Sequence, residues 1–518
     1  MVTNQSFGPQ DGDSLAETGD ADTGSCRRHG SRSAASEEGS IVTVTTATEL
    51  WRMSALELSE AIRSKQASSR EVVEAHLRRI EAVNPRVNAV TALLGDRAFE
   101  EATAADQAVA AGGDFPPLLG VPCTIKGNVD LAGTPTTHGM RALMQAEPGI
   151  DAPAVARLRA AGAVPLGHTN LPDFAIGWHC DSELWGATTN PWDPTRTPGG
   201  SSGGEAAALA TGMTPLGLGN DTGASLRWPA QCCGVAVLKP SLGRIPHATT
   251  IEPRDLPIGN QLMGVNGPMA RRVADLRVAF EAMVGPSWRD PWTVPAALRG
   301  PDLASPIRIA VVADPAGLGV APQVRDGVRK AAAALEDAGY VVDEVEPPQI
   351  EEAASIWLDI SVPSLRTGWD IWGPMVRAET MRFVTAFFEV AGEKGLEATV
   401  EGLIARQAVM RGWAEFQEAH PLIVAPVGTD LPFEVGGDRT AADVGGIVHA
   451  MRMAVAVNTL SLPAVAVPVG VGEGLPQTVQ VIGPRYREDL CLDAAQAIED
   501  RVGIFTPIDP RSPEETPR

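Results

Sequence analysis

A glycine-rich stretch over residues 197–212, TPGGSSGGEAAALATG, places serines where they could do chemistry. Residues 199–203 satisfy the G-x-S-x-G pattern of a nucleophile elbow, in which a serine attacks an acyl group. A phosphate-cradling loop that opens a helix, or a flexible linker, would be rich in glycine in the same way. The three interpretations predict different functions, and the neighbouring residues help to separate them.

The phosphate-loop and linker interpretations fit the neighbouring residues poorly. A P-loop needs lysine after its last glycine, whereas Glu205 follows Gly204 and would place a negative charge against the phosphate. The stretch also contains no G-x-G-x-x-G dinucleotide fingerprint. A linker is disfavoured because GGEAAALATG continues as a helix of small residues, and the strand-like TPLGLGND follows it directly.

A nucleophile elbow requires a strand that runs straight into the serine. The preceding residues, TTNPWDPTRTP, contain three prolines and predict an irregular loop instead. A histidine base would also be needed downstream, and His247, His420 and His449 stand in no telling context. We therefore predict a tight loop at a helix N-terminus, whose backbone N–H groups are free to face a partner.

Two further segments accompany this loop at defined distances. Lys126 stands 75 residues before Ser201, in GVPCTIKGNVDLAGTPTTHG, and Ser225 stands 24 residues after it, in GLGNDTGASLRWPAQCCGVAVLKPS. Together these segments resemble the amidase signature family of Ser-Ser-Lys amide hydrolases. The resemblance extends over residues 46–500 and includes the late NTLSLPAVAVPVGV block.

The resemblance implies a catalytic role for each of three side chains. Ser225 would be the nucleophile that forms the acyl-enzyme, Ser201 the bridging serine after a cis Gly200–Ser201 bond, and Lys126 the terminal base. A serine hydroxyl attacks well only when a neighbour takes its proton. Lysine can do so only when neutral, so its pKa must fall far below about 10.4. Lys126 ends the apolar run GVPCTIK, where a buried ammonium would be unfavourable.

The backbone around the nucleophile would stabilise the oxyanion. The resemblance implies that the N–H groups of Thr222, Gly223, Ala224 and Ser225 form the hole, and one such donor can lower the barrier by about 2.7–4 kcal/mol. We expect no metal and no cofactor, because the eight histidines and six cysteines show no metal-ligand spacing.

Three positions depart from the family pattern as it is usually found. Ala224 stands where the family most often has glycine, and its Cβ is expected to narrow the pocket or to demand an ordinary φ. Gly127 replaces a common aspartate, which would slightly favour the neutral amine of Lys126. His168 replaces a usual lysine. These departures bear on substrate preference rather than on activity.

The elements that must position these residues alternate along the chain. Capping boxes at Ser54 and Ser68 predict two helices, and short apolar runs separated by helical patterns follow. This alternation predicts an α/β protein with a mixed, twisted central sheet covered by helices on both faces, the amidase signature fold by resemblance. Residues 350–417 read as helical and aromatic-rich. We expect most of these aromatic residues to pack on the sheet and a few to line an apolar substrate pocket.

Composition limits the domain organisation and the partners. We expect a disordered tail over residues 1–45, one catalytic domain over residues 46–507 and a C-terminal tail over residues 508–518. The net charge of −22 argues against a nucleic-acid surface, and no stretch is apolar enough to span a membrane. The scattered cysteines are typical of a cytoplasmic protein with reduced thiols, and we expect Cys232 and Cys233 to be buried core residues.

The sequence therefore predicts an amidase that hydrolyses a small-molecule carboxylic amide, such as an aryl or alkyl amide, an anilide or a carbamate, to acid and amine. An alternative with the same chemistry is the glutaminase subunit of a tRNA-dependent amidotransferase. A non-catalytic binding module on the same fold is a third hypothesis, which the intact Ser-Ser-Lys set disfavours. The sequence leaves a homodimer open.

Overall fold

Short apolar segments form the strands of the computed structural model, which describes residues 49–252, 254–512 and 514–515. The strands are β1 (Val90–Leu93), β2 (Pro122–Lys126), β3 (Val164–Thr169), β4 (Asp181–Ser182), β5 (Gly186–Ala187), β6 (Leu216–Asp221), β7 (Ala236–Lys239), β8 (Val265–Ala270), β9 (Arg308–Val311), β10 (Val341–Asp343), β11 (Leu422–Pro426), β12 (Ala464–Gly472) and β13 (Leu475–Ile482).

Helices separate most of these strands. They are α1 (Ala55–Arg63), α2 (Ser69–Val87), α3 (Gly95–Ala111), α4 (Pro153–Ala160), α5 (Gly203–Ala210), α6 (Arg227–Cys233), α7 (Ile258–Met263), α8 (Val273–Met283), α9 (Pro322–Asp337), α10 (Ile350–Trp372), α11 (Ala378–Ala391), α12 (Leu396–Ala419), α13 (Ala441–Ala450), α14 (Arg452–Thr459) and α15 (Glu488–Val502). Short 3-10 helices lie at Leu50–Arg52, Arg141–Leu143, Asp173–Ala175, Pro315–Gly317 and Gly373–Met375.

Eleven strands of the described residues form one mixed sheet, in the order β1-β3-β2-β6-β8-β7-β12-β13-β11-β9-β10. The neighbours β3, β2 and β6 run parallel, as do β11, β9 and β10. The other pairs are antiparallel. The carboxyl ends of β3, β2 and β6 therefore meet at one edge, the place where open α/β sheets usually bind ligands.

Alternate residues of the strands bury against helices on opposite faces of the sheet. In β12, Val465 and Val467 belong to a core shared with α8, α9 and α15, whereas Ala464 and Ala466 belong to a core shared with α10, α11, α12 and α14. This arrangement confirms the predicted α/β class with helices on both faces. Both predicted capping boxes are present, at the starts of α1 and α2.

Several boundaries differ from the sequence patterns. The helical sequence pattern of residues 441–457 is divided between two helices, α13 and α14, that meet at Met451. The aromatic-rich segment forms α10, α11 and α12. Every helix of the described part of the chain is too short or too polar to cross a membrane.

Of the two predicted tails, only the C-terminal one includes residues that the structure describes. The tail expected over residues 1–45 lies outside them. The C-terminal segment that we expected to be a tail contacts the rest of the protein. Ile508 N donates to the carbonyl of Ala210 at 2.8 Å, and Arg511 N donates to that of Pro191 at 2.9 Å.

Candidate active site

The predicted catalytic residues meet at the carboxyl edge of the parallel strands. Lys126 is the last residue of β2, and the loop that carries Ser225 follows the last residue of β6. Ser201 lies two residues before α5, and the backbone N–H of Ser202 donates to the carbonyl of Ser225 at 3.2 Å. The fold thus brings together three segments that are far apart in sequence.

Lys126 is fully buried and contacts two polar side chains. Its Nζ lies 2.7 Å from Ser201 Oγ and donates to Asn220 Oδ1 at 2.6 Å. The amide oxygen of Asn220 can only accept, so it fixes one amine hydrogen and orients the group. When the amine is neutral, its lone pair can accept the Ser201 hydroxyl proton.

Burial lowers the pKa of Lys126 to about 7, against the weaker opposing influence of Cys180, Asp221 and Glu205. A lysine with this pKa is neutral in a large fraction of molecules at neutral pH. The pKa of Lys126 is therefore shifted in the direction that a lysine base requires.

Close packing of neighbouring segments explains the glycines around Ser201. A Cβ on Gly200 would lie 2.7 Å from the carbonyl oxygen of Gly177, and one on Gly203 would lie 2.5 Å from Cys180 Cβ. The Gly200–Ser201 peptide bond is cis, as the family resemblance implied. The stretch is therefore a tightly packed loop that opens α5, as predicted, rather than a linker.

Asp221 organises the loop that carries Ser225. Its carboxylate accepts from the backbone N–H of Ala224 at 2.8 Å and of Leu226 at 3.2 Å, and it pairs with the buried Arg227 guanidinium at 3.0 Å. Burial alone would raise the pKa of Asp221, but the Arg227 charge lowers it to about 2. Asn458 donates to the same carboxylate at 2.9 Å. The carboxylate thus stays ionised and holds the turn.

Two indoles hold the other side of this loop. Trp357 Nε1 donates to the carbonyl of Thr222, and Trp178 Nε1 donates to that of Gly223, each at 2.9 Å. The C=O and N–H of a trans peptide point in opposite directions. Trp357 therefore directs the N–H of Gly223 away from itself, and a Cβ on Gly223 would lie only 2.5 Å from Trp357 Cζ2.

The predicted oxyanion donors are not equivalent. The N–H of Ala224 is already bonded to Asp221 and, at 3.2 Å, to Asn458 Oδ1. Within the described residues, the N–H groups of Thr222, Gly223 and Ser225 donate to no protein acceptor. These three groups are the ones available to an oxyanion.

We expected the Cβ of Ala224 either to narrow the pocket or to require an ordinary, negative φ, and the structure shows neither. The φ of Ala224 is +73°, in the left-handed region that favours glycine. The Asp221 and Asn458 acceptors hold its N–H in this conformation. Its side chain is fully buried and does not line the cavity, so it does not narrow the pocket.

Ser201 and Ser225 line the same cavity, of about 270 Å³. Thr222 and Gly223 line it as well, while Lys126 lies buried behind Ser201. The cavity also has an aromatic wall, which comes from the aromatic-rich helical segment together with Trp178. Its residues are Trp178, Trp357, Trp372, Phe383 and Phe387.

Two of the three histidines considered as elbow partners, His420 and His449, are not among the residues that line the cavity with the serines. His420 contacts Asp343, and His449 contacts the carbonyl of Leu318. His247 lines the cavity, where burial lowers its pKa. Across the described ranges, no histidine hydrogen-bonds to Ser201 or Ser225, so the Ser-His-Asp interpretation has no geometric support.

Four other residues considered from the sequence are buried in the structure: His168, Gly127, Cys232 and Cys233. His168 is buried on β3, and its Nδ1 lies 3.1 Å from the carbonyl of Ile125. Gly127 follows Lys126, and a Cβ at this position would lie 3.0 Å from Leu171 Cδ2 and from the carbonyl oxygen of Thr169. Cys232 and Cys233 are buried, as predicted.

Sequence reasoning missed three residues that shape the site, Asn220, Asn458 and Trp178, and it considered Trp357 only as one of the aromatic residues that could line the pocket, without its bond to the nucleophile loop. Asn220 adjoins the DTGAS segment, so its position beside the nucleophile loop was a usable signal. The other three come from distant loops and helices. Their contacts depend on tertiary packing that spacing does not reveal.

Comparisons with known proteins agree with this geometry. A family model described as Amidase matches residues 71–492. An indoleacetamide hydrolase of Bradyrhizobium diazoefficiens is 42% identical over 465 residues, covering 88% of this chain and 88% of that protein. A glutamyl-tRNA(Gln) amidotransferase subunit of Moorella thermoacetica is 33% identical, covering 87% of this chain and 97% of that protein.

A solved structure supports the same likeness at the level of the fold. The structure of 6-aminohexanoate cyclic dimer hydrolase complexed with substrate superposes with a TM-score of 0.76 at 27% identity. It covers 90% of this chain and 99% of that one. The similarity therefore includes nearly the whole described part of the chain.

Proposed function

The chain belongs to the amidase signature family and is an amide hydrolase, and from this premise we propose that it cleaves aromatic carboxylic amides through an acyl-enzyme on Ser225. The observation that carries the proposal is the 2.7 Å contact between the buried Lys126 Nζ and Ser201 Oγ, at the wall of the cavity that also exposes Ser225. This contact supplies a base for a serine nucleophile without any histidine.

The proposed reaction proceeds in two steps. Ser225 Oγ bonds to the carbonyl carbon, its proton passes through Ser201 to the neutral Lys126, and the N–H groups of Thr222, Gly223 and Ser225 stabilise the oxyanion. The C–N bond then breaks while the proton returns through Ser201 to the leaving amine. Water hydrolyses the resulting ester by the same relay, which releases the acid and restores Ser225.

The cavity wall supports an aromatic acyl group. Trp178 packs edge-on against Phe383 with ring centroids 6.0 Å apart, and Phe383 stacks on Phe387 at 6.2 Å. Such a wall suits a planar apolar group better than a flexible polar chain. The name of the 42% identical relative, indoleacetamide hydrolase, accords with an aryl-acetamide substrate.

The charge of the cavity disfavours the glutaminase alternative. Among the described residues that line it, none is aspartate, glutamate, lysine or arginine. Burial lowers the pKa of its histidines, that of His138 to about 4, so they are neutral at pH 7. Free glutamine carries an α-carboxylate and an α-ammonium, which would be buried here without charged partners.

A substrate panel tests the proposal. We expect kcat/KM for indole-3-acetamide and phenylacetamide to exceed that for hexanamide at least tenfold, and glutamine to be hydrolysed at background rates. Ser225→Ala should lower the rate to near background. The matched control is Ser364→Ala, which removes another serine of the cavity whose Oγ accepts from Gly259 N at 3.0 Å; this variant should still turn over.

Two results would contradict the proposal. A preference for glutamine over the aromatic amides would favour the glutaminase alternative. A folded Ser225→Ala enzyme that retains more than about a tenth of the wild-type rate would rule out Ser225 as the nucleophile.

A further inference from the structure

One polar corner of the cavity has no role in the relay described so far. It contains Asn266, which lies on β8 and is 1% exposed, and the neighbouring His247. Both residues line the cavity. Each has a buried side-chain atom, Oδ1 of Asn266 and Nδ1 of His247, without a hydrogen-bond partner among the described residues.

The orientation of the Asn266 amide is fixed by the backbone. Its Nδ2 donates to the carbonyl oxygen of Pro246 at 3.0 Å. Because a carbonyl oxygen can only accept, the amide cannot be turned the other way without losing this bond. Oδ1 is therefore the acceptor left over, and a buried acceptor without a donor destabilises a protein. Such a group needs an explanation.

The position of Asn266 places this acceptor beside the relay. Asn266 is the direct cross-strand partner of Asn220 in the β6–β8 ladder. Cross-strand partners project from the same face, with Cβ atoms about 4.5–5.5 Å apart. Asn220 in turn accepts from Lys126 Nζ, which contacts Ser201. Asn266 thus lies next to the asparagine that orients the base, in the wall of the cavity that Ser201 also lines.

We propose that Asn266 Oδ1 accepts a hydrogen bond from the N–H of the scissile amide and so positions the leaving amine. This inference rests on the proposed function, in which Ser201 returns the proton to the leaving nitrogen, so that nitrogen must lie near Ser201. An amide nitrogen carries the N–H that this acceptor lacks, whereas the leaving oxygen of an ester carries none. Asn266 is therefore a specificity-determining residue for amides.

His247 completes the corner as a second polar atom. It follows Pro246 directly in the chain, and its own backbone N–H donates to Asp290 Oδ2 at 2.8 Å, which fixes the backbone there. Burial lowers the pKa of His247, so the corner holds a neutral ring rather than a cation. A neutral corner suits an uncharged amide and the amine that leaves it.

The test compares an amide with an ester of the same aromatic acid. We expect Asn266→Leu to lower the ratio of kcat/KM for phenylacetamide to kcat/KM for methyl phenylacetate about tenfold, the effect of one lost hydrogen bond. Asn260→Leu is the matched control, since Asn260 also lines the cavity and its Nδ2 donates to Thr222 Oγ1 at 3.3 Å. Asn260→Leu should leave the ratio unchanged, whatever its effect on the two rates.

Asn266→Ser makes the same comparison if the leucine variant does not fold. An amide-to-ester ratio that stays at the wild-type value in the folded variant, with both rates unchanged or equally reduced, would overturn the proposal and assign Asn266 a structural role. A wild-type enzyme that hydrolyses neither compound would instead contradict the proposed function, so the two failures are distinguishable.

Discussion

Replacing Lys126 by methionine should stabilise the protein at neutral pH, although it removes the proposed base. Burial lowers the pKa of Lys126 from 10.5 to about 7 in the folded protein. Between pH 7 and 10.5 the unfolded chain therefore binds one more proton than the folded one. The stability that the wild type lacks at low pH is regained as the pH rises through this window.

The structure allows an estimate of the size of the effect. At about 1.36 kcal/mol per pKa unit, the difference between 10.5 and about 7 amounts to a destabilisation of about 5 kcal/mol at and below neutral pH. Methionine removes this destabilisation, but it leaves Asn220 Oδ1 with only the long 3.5 Å bond from Asn128 Nδ2, a loss of about 1–3 kcal/mol. The net gain should be about 2–4 kcal/mol at pH 7. At pH 10.5 only the loss remains.

The assay is denaturant unfolding of wild type and Lys126→Met at pH 7 and at pH 10.5. We expect the variant to be the more stable protein at pH 7 and the less stable one at pH 10.5. Lys65→Met, at an exposed lysine, serves as the control and should show the same small difference at both values. A Lys126→Met protein that is destabilised equally at both pH values would refute the reasoning, since Lys126 of the folded wild type would then still be charged at pH 7.

Three further outcomes follow from the same geometry. Wild-type kcat/KM should rise about tenfold between pH 6 and pH 8 as Lys126 deprotonates, and then level off; a rise that continues to pH 10 would contradict a pKa of about 7. Gly223→Ala should lower kcat about a hundredfold, because its Cβ would lie 2.5 Å from Trp357 and displace an oxyanion donor; near-normal kcat would exclude that role. Ala224→Gly should change the free energy of unfolding, measured with denaturant, by no more than about 1 kcal/mol, because relief of the strained +73° φ (about 1–2 kcal/mol) is offset by the greater backbone entropy of glycine in the unfolded chain and by the loss of a buried methyl group. A destabilisation above about 2 kcal/mol would show that this φ is not strained.

Sequence reasoning predicted the parts of the site that are local. Lys126 ends a strand, Ser201 opens a helix and Ser225 follows a strand, and each of these is written in the adjacent residues. The α/β class followed from the alternation of apolar runs and helical patterns. Strands as short as β10 give too weak a periodicity for such a prediction.

The rest of the site depends on contacts between distant segments. Trp357 comes from α10 and Asn458 from α14, yet both bond to the loop that carries Ser225. The left-handed φ of Ala224 also has a tertiary cause, because Asp221 and Asn458 capture its N–H. No pattern within the loop itself specifies these partners, so the occupied donor could not be distinguished from the free ones.

The central claim is that Ser225 carries the acyl group, and mass spectrometry of the enzyme quenched during turnover tests it most directly. With an ester of an aromatic acid as substrate, we predict a single added acyl group on the peptide that contains Ser225. The adduct should be absent from Ser225→Ala and present in Ser364→Ala. An acyl group on Ser201 instead, or an adduct that persists in Ser225→Ala, would contradict the account.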